Sequence, residues 1–305
     1  MGRPGSAPTD HSYGGQALLE GVMMRGRDAW AVAVRRPDGG IHTESHDIDS
    51  VVRRVPWLRL PFLRGVIALG QSLAIGFRAL SVSARVITPE DEAPASWQVG
   101  VSMAIAIALF LGLFIVAPAA AFRWVATRVE SSILVNVLEG FARVGLFLVY
   151  LLALGRSRDV RRTFQYHGAE HQTISAYEHG EPLEPAAIGR FPTLHVRCGT
   201  NFLILVMIIT ILVFAAFGNP GLWWRIGSRL VAIPLIAGIA YELLRIGARF
   251  PDSALVRAIM LPGLWLQRIT TRTPEPDQVE VAMTAFRTLL AHEGERAGGA
   301  SPATA

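Results

Sequence analysis

The chain has 305 residues, 51% hydrophobic and only 17% charged, with a formal net charge of +5; this is too apolar for an average soluble protein and excludes disorder over most of its length. All 29 basic residues are Arg, so Schiff-base chemistry, a pyridoxal-phosphate lysine and a Walker-type phosphate lysine are excluded. The single cysteine, Cys198, excludes internal disulfides, a zinc ribbon and a four-cysteine iron–sulfur centre.

Residues 1–12 are polar and Gly/Pro-bearing and read as a disordered tail, with no apolar signal-peptide segment. Gly2 and Ser6 match a myristoylation spacing, which such a tail also produces by chance. Residues 13–57 read as a β-rich cytoplasmic region. Within 29–36, Trp30, Val32 and Val34 alternate with small or polar residues. Pro37-Asp38-Gly39-Gly40 is turn chemistry, and 41–48 can return as a second strand. Residues 16–24 offer a third strand. Over 58–88 an apolar stretch carries Arg64, Gln71, Arg78 and Arg85 at seven-residue spacing, one polar stripe on a helix. We read it as an interfacial amphipathic helix with its arginines toward lipid headgroups. The alternative is a buried helix whose stripe lines a polar cavity.

Residues 99–122 hold no charge over a length that crosses a hydrocarbon core of about 30 Å. Residues 201–217 are shorter and equally free of charge. Residues 131–154 read as a span carrying Glu139 and Arg143 at i, i+4 spacing, suited to pairing on one helix face. Residues 230–244 read as a span with Pro234 inside it and Glu242 near its end, either a functional intramembrane acid or the partner of Arg245 one turn on. Arginine is dense before residue 99, sparse in 123–130, dense in 155–200, sparse in 218–229 and dense again towards the C-terminus. The positive-inside rule then gives four spans in the cytoplasmic membrane, with both termini and the 155–200 loop inside.

The predicted fold is mainly α: a polytopic helical membrane protein with an interfacial helix and a small N-terminal β-hairpin element. Transmembrane helices occupy 99–154 and 201–249, cytoplasmic helices 250–293 and a disordered tail 294–305. After Pro274 and Pro276, the side chains of Val279, Met283, Phe286, Leu289 and Leu290 share one helix face. The arginines orient the chain in a lipid bilayer and are not a nucleic-acid footprint.

Chemistry concentrates in the 155–200 loop. Residues 166–171 read Tyr-His-Gly-Ala-Glu-His. On a helix His167 and His171 project from one face a turn apart, which suits two ligands on one zinc-like ion. Glu170 is placed as a base toward water activated by such an ion, in the order of the inverted zincins. Gly168 weakens the helix that this needs. A third ligand is required; His195 and Cys198, at H-x-x-C spacing, are the candidates, with Glu178 another. Arg197 either holds an anionic substrate group or is a positive-inside anchor. His179, in His-Gly-Glu-Pro, reads as a turn residue. The bland alternative for the cluster is hydrogen bonding at the headgroup layer.

Four blocks, 14–26 (GGQALLEGVMMRG), 166–178, 194–202 and 269–283 (ITTRTPEPDQVEVAM), resemble the YqhQ family of bacterial membrane proteins in order and over residues 13–292. That uncharacterised family is often labelled as predicted metal-dependent enzymes. The resemblance implies His167, Glu170, His171, His195 and Cys198 as metal-site residues, and draws attention to Gln16, Glu20 and Arg25. Members usually carry Lys where this chain has Gln172, and Pro where it has Val196. The first departure fits a chain without lysine; the second loosens the turn at His195. Glu20 lies in an apolar run and needs a partner, either Arg25, which is favoured, or the metal. The glycines of its block imply a close backbone approach.

The leading expectation is a divalent metal, zinc or iron, on the cytoplasmic face, with hydrolysis of a lipid-linked or membrane substrate. His167, His171 and either His195 or Cys198 hold the metal, Glu170 activates water, and Arg197 orients an anionic group. The rival is a non-enzymatic assembly factor or scaffold with a structural histidine cluster. A transporter, motivated by Glu139, Arg143 and Glu242, is the third reading.

Overall fold

In the computed structural model of the chain, the described residues are 13–49, 60–89, 95–215, 222–250 and 253–299. The expected N-terminal tail and its myristoylation match lie outside them. Strands β1 (Gly14–Leu18), β2 (Gly21–Arg25), β3 (Ala29–Arg35) and β4 (Ile41–Asp47) precede the helices. These are α1 (Leu63–Ile87), α2 (Ser96–Leu111, continuing through a π-helical segment Gly112–Val116 into Ala117–Ala126) and α3 (Ser132–Leu154). Then follow α4 (Arg158–Glu178), α5 (Pro185–Ile188), α6 (Gly199–Ala215), α7 (Leu222–Arg249), α8 (Ala254–Thr270) and α9 (Pro276–Gly299).

The strands form one antiparallel sheet in sequence order. The 16–24 stretch belongs to two strands instead of one, because Glu20 takes a left-handed φ of 51° and reverses the chain between Leu18 and Gly21. Gly39, at φ 88°, closes the turn from β3 to β4 as predicted. The alternation in β3 predicts one exposed face, yet the strand is buried on both. Leu18, Met23, Trp30, Val32 and Val34 pack on Ile75, Ala79 and Val82 of α1. Ala29, Ala31 and Ala33, with Val22 and Met24, face α4 and α9. Alanines on that side leave room for Tyr166 of α4 and Phe286 of α9. The apolar face of α9 is the predicted one, but the helix continues through Gly299, into the stretch expected to be disordered.

Among the described residues, four helices are long and apolar enough to cross a membrane: α1, residues 97–126 of α2, α3, and residues 226–247 of α7. Large apolar side chains such as Leu109, Phe141, Val149 and Val231 point outward, a surface that lipid covers at far lower cost than water. The protein is a polytopic helical membrane protein. The set of spanning-length helices differs from the expected one. Helix α6 has 17 described residues, and residues 216–217 of its predicted span lie outside the described part. Helix α1, read as interfacial, has spanning length.

The arginine stripe of α1 does not uniformly face headgroups. Arg64 donates from Nε and Nη2 to both carboxylate oxygens of Glu242, at 2.7 and 2.5 Å. The expected Glu242–Arg245 pairing therefore gives way to an interhelical fork, a geometry that a guanidinium on a neighbouring helix supplies best. The first half of α1 packs on α7, where Gly65 admits Tyr241, and the second half packs on the sheet. Glu139 and Arg143 pair at 2.8 Å as predicted. Arg143 also donates from Nε to the Phe114 carbonyl, at 2.7 Å, inside the π-helical segment of α2.

Candidate metal centre

Helix α4 holds the histidines, and Gly168 does not break it. A Cβ at Gly168 would collide with the Arg272 carbonyl, so glycine lets the 271–275 segment lie directly on the helix. His167 and His171 stand a turn apart, with ring centroids separated by 4.4 Å. Each imidazole is oriented from behind. His167 Nδ1 is 2.9 Å from the Thr270 carbonyl, and His171 Nδ1 is 2.6 Å from the Thr193 carbonyl. A carbonyl only accepts, so both Nδ1 atoms carry the proton and both Nε2 lone pairs point away.

The lone pair of His167 meets Cys198. Its Sγ lies 3.1 Å from His167 Nε2, and the ligand atoms of His167, His171 and Cys198 all lie within 4.8 Å of one another. Burial pulls the His171 imidazole below its usual range, towards the neutral form. His171 Nε2 is buried without a hydrogen-bond partner.

His195 stands outside this triad. Its ring centroid is 5.6 Å from that of His171, and its Nε2 is 3.5 Å from Glu178 Oε2. Arg197, expected to hold an anionic group, is ion-paired with Glu178. The charge assigned to a substrate is thus answered within the chain. Burial pushes the Glu178 carboxyl up, but the His195 hydrogen bond and the Arg197 charge outweigh it and hold the group below the usual carboxylate range. His179 bonds to Ser175 O and packs on Phe191 at the end of α4, in keeping with a turn residue.

Glu170 is buried, at 4% exposure, and its Oε2 has no hydrogen-bond partner. Burial pushes its carboxyl up to about 7, with His167 pulling the other way. Its side chain lies against Gly15 of β1, where a Cβ would come within 2.8 Å of Glu170 Cγ and 2.6 Å of the Met23 carbonyl. This is the close approach that the glycine block implied. Glu20 pairs neither with Arg25 nor with the triad. It accepts from Arg162 Nε at 2.5 Å and from the Tyr166 hydroxyl at 3.2 Å, because the hairpin reversal turns it toward α4.

Other residues of the site carry no sequence signal. Gln267 of α8 is fully buried and clamps the His195 backbone: Oε1 accepts from His195 N and Nε2 donates to His195 O, both at 2.8 Å. Asn201 Nδ2 donates to Val196 O at 2.6 Å. Together they hold the 195–198 turn, where Val196 stands. The carbonyls of Thr193 and Thr270 are invisible to any side-chain pattern, although the 269–283 block pointed to the right segment. A cavity of about 660 Å³ runs from the triad and Glu170 past Gln16 and Arg25 to Phe147 and Leu151 of α3.

The model of a family described as "Protein of unknown function (DUF1385)" matches residues 60–292. The chain is 30% identical over 298 residues to the "Uncharacterized protein YqhQ" of Bacillus subtilis (strain 168), covering 92% of each chain. No solved structure matches the chain.

Proposed function

The chain belongs to this family, and we propose that it is a membrane-embedded, metal-dependent hydrolase whose metal is held by His167, His171 and Cys198. The observation that carries the reading is the convergence of three ligand atoms, two of them oriented by carbonyls behind the rings. The donor set fits the group: two imidazoles and a thiol suit zinc, and iron less closely, whereas hard cations call for oxygen ligands. The buried Nε2 of His171, without a hydrogen-bond partner, also fits a bound cation. Three protein ligands leave a position open, as in catalytic zinc sites.

A bound zinc supplies Lewis-acid activation of water and of an acyl or phosphoryl oxygen. Glu170, one residue before His171 and facing the same cavity, takes the proton of the attacking water at Oε2 and returns it to the leaving group. His195 and Glu178 border the site and keep Arg197 in place. The arginine distribution supports a cytoplasmic position for the site, with both termini on that side. Elemental analysis of detergent-purified protein is the test. Wild type carries stoichiometric zinc or iron and His171→Ala does not; folded, metal-free wild type overturns the reading.

A second reading is structural. The same bonds tie α4, the 193–198 segment and the end of α8 together, as an assembly factor or scaffold without chemistry would need. Glu170→Gln with an unchanged cellular phenotype, beside a destabilised His167→Ala, supports that reading. The transport reading loses its motivation, since Glu139 and Glu242 are each paired with an arginine.

A further inference from the structure

The cavity beside the triad holds a charge that hydrolysis does not use. Arg25 lies on β2, and its Nη1 donates to Ser72 Oγ of α1 at 2.5 Å. Glu20, the partner its sequence position offered, is held by Arg162 and Tyr166. Among the described residues no carboxylate pairs with Arg25. Arg25 is half-buried, and a guanidinium partly withdrawn from water without a carboxylate is a ready partner for an anion. Close by, the amide of Gln16 packs on Gly76 of α1 and lines the same cavity.

The wall that α1 and α3 supply is mostly apolar. Leu69, Leu73 and Phe77 of α1 face the cavity together with Phe147 and Leu151 of α3. Both helices have membrane-spanning length, so the cavity joins a cationic end to surfaces suited to hydrocarbon. Its volume of about 660 Å³ lies within the range of ligand sites. The cation disfavours a neutral lipid, and the apolar wall disfavours a free inorganic anion.

We propose that Arg25 receives the anionic head of a membrane lipid whose hydrocarbon tail lies along α1 and α3. Where the hydrolytic reading holds, on which this assignment rests, the lipid is the substrate class, and anion recognition passes from Arg197 to Arg25. The guanidinium binds the head through its planar fork, with Ser72 fixing its rotamer and Gln16 offering an amide at the same end.

The experiment is native mass spectrometry of the full chain in detergent, offered dioleoyl phosphatidic acid, dioleoyl phosphatidylcholine or inorganic phosphate. Wild type retains phosphatidic acid over phosphatidylcholine by about ten-fold or more, the scale of one charge-assisted contact. R25Q loses the preference, and R25K keeps most of it. Equal uptake of the two lipids by wild type overturns the proposal, as does an R25Q preference equal to that of wild type. Displacement of the lipid by inorganic phosphate at equal concentration also overturns it. The wild-type comparison needs no variant, so the test stands even where R25Q does not fold. Metal content is read on the same samples. Metal-free protein with an Arg25-dependent preference defeats the hydrolytic reading and leaves the lipid site standing; metal-loaded protein without the preference does the reverse.

Discussion

His167 Nε2 stands 3.1 Å from Cys198 Sγ, across 31 residues of chain and two segments of different structure. His171 reaches the same point from one helical turn away. His195, equally eligible by spacing, turns instead to Glu178. On the proposed reading the third ligand is therefore Cys198, and this can be tested directly. Cys198→Ala loses bound metal to the same extent as His171→Ala, whereas His195→Ala retains it. Elemental analysis of the three purified variants decides; metal lost from His195→Ala and kept by Cys198→Ala would reverse the assignment.

Gly15 and Gly14 are neighbours with opposite surroundings. A Cβ at Gly15 meets Glu170 and the Met23 carbonyl, while nothing lies within 4 Å of a Cβ at Gly14. Gly15→Ala costs about 1–3 kcal/mol, the range for overpacking a filled site. Gly14→Ala is close to neutral. Thermal unfolding of both variants in the same detergent measures the difference, and equal midpoints would remove the proposed contact.

Gln267 satisfies two backbone groups of His195 at once. Gln267→Leu leaves both unpaired in a buried place, at a cost of about 1–3 kcal/mol for each group that water cannot reach. The turn that carries Cys198 then loosens. The variant shows a lowered unfolding midpoint and weaker metal retention under chelator challenge. Wild-type retention in a destabilised variant would separate the clamp from the centre.

The Glu178 carboxyl is held below its usual range in the folded protein, so folding favours its ionised form. Its contribution to stability is complete above the unfolded pKa of about 4.3 and fades as pH falls through the folded value. The gap in unfolding midpoint between wild type and Glu178→Gln therefore narrows as pH falls below about 5. Arg197 is the cation paired with this carboxylate, and His195 Nε2 lies 3.5 Å from it. A gap that widens below about pH 5 would contradict the assignment.

Some of this was legible from residue order. Apolar runs without charge marked the helices, Glu139 and Arg143 announced their pairing, and H-x-x-E-H placed two imidazoles on one face of α4. The strand reversal at Glu20 was not legible, because a left-handed residue in an apolar run leaves no pattern. Nor was the burial of the alanine face of β3, since small residues read as exposed until a helix is known to cover them. Gly168 looks like a weakness in the helix until the Arg272 carbonyl that requires it, about a hundred residues away, is in place.

By itself the sequence determined a lysine-free helical membrane chain with one histidine-rich loop. Composition and helical periodicity are local properties, and they survive without knowledge of any neighbour. The tertiary structure alone decided the partners. Cys198 completes the triad instead of His195, Glu178 neutralises Arg197, Glu20 binds Arg162, and Arg25 faces the cavity with no carboxylate paired to it among the described residues. A charge or a ligand atom acts over a few ångströms of space, and only the folded chain says which residues share them.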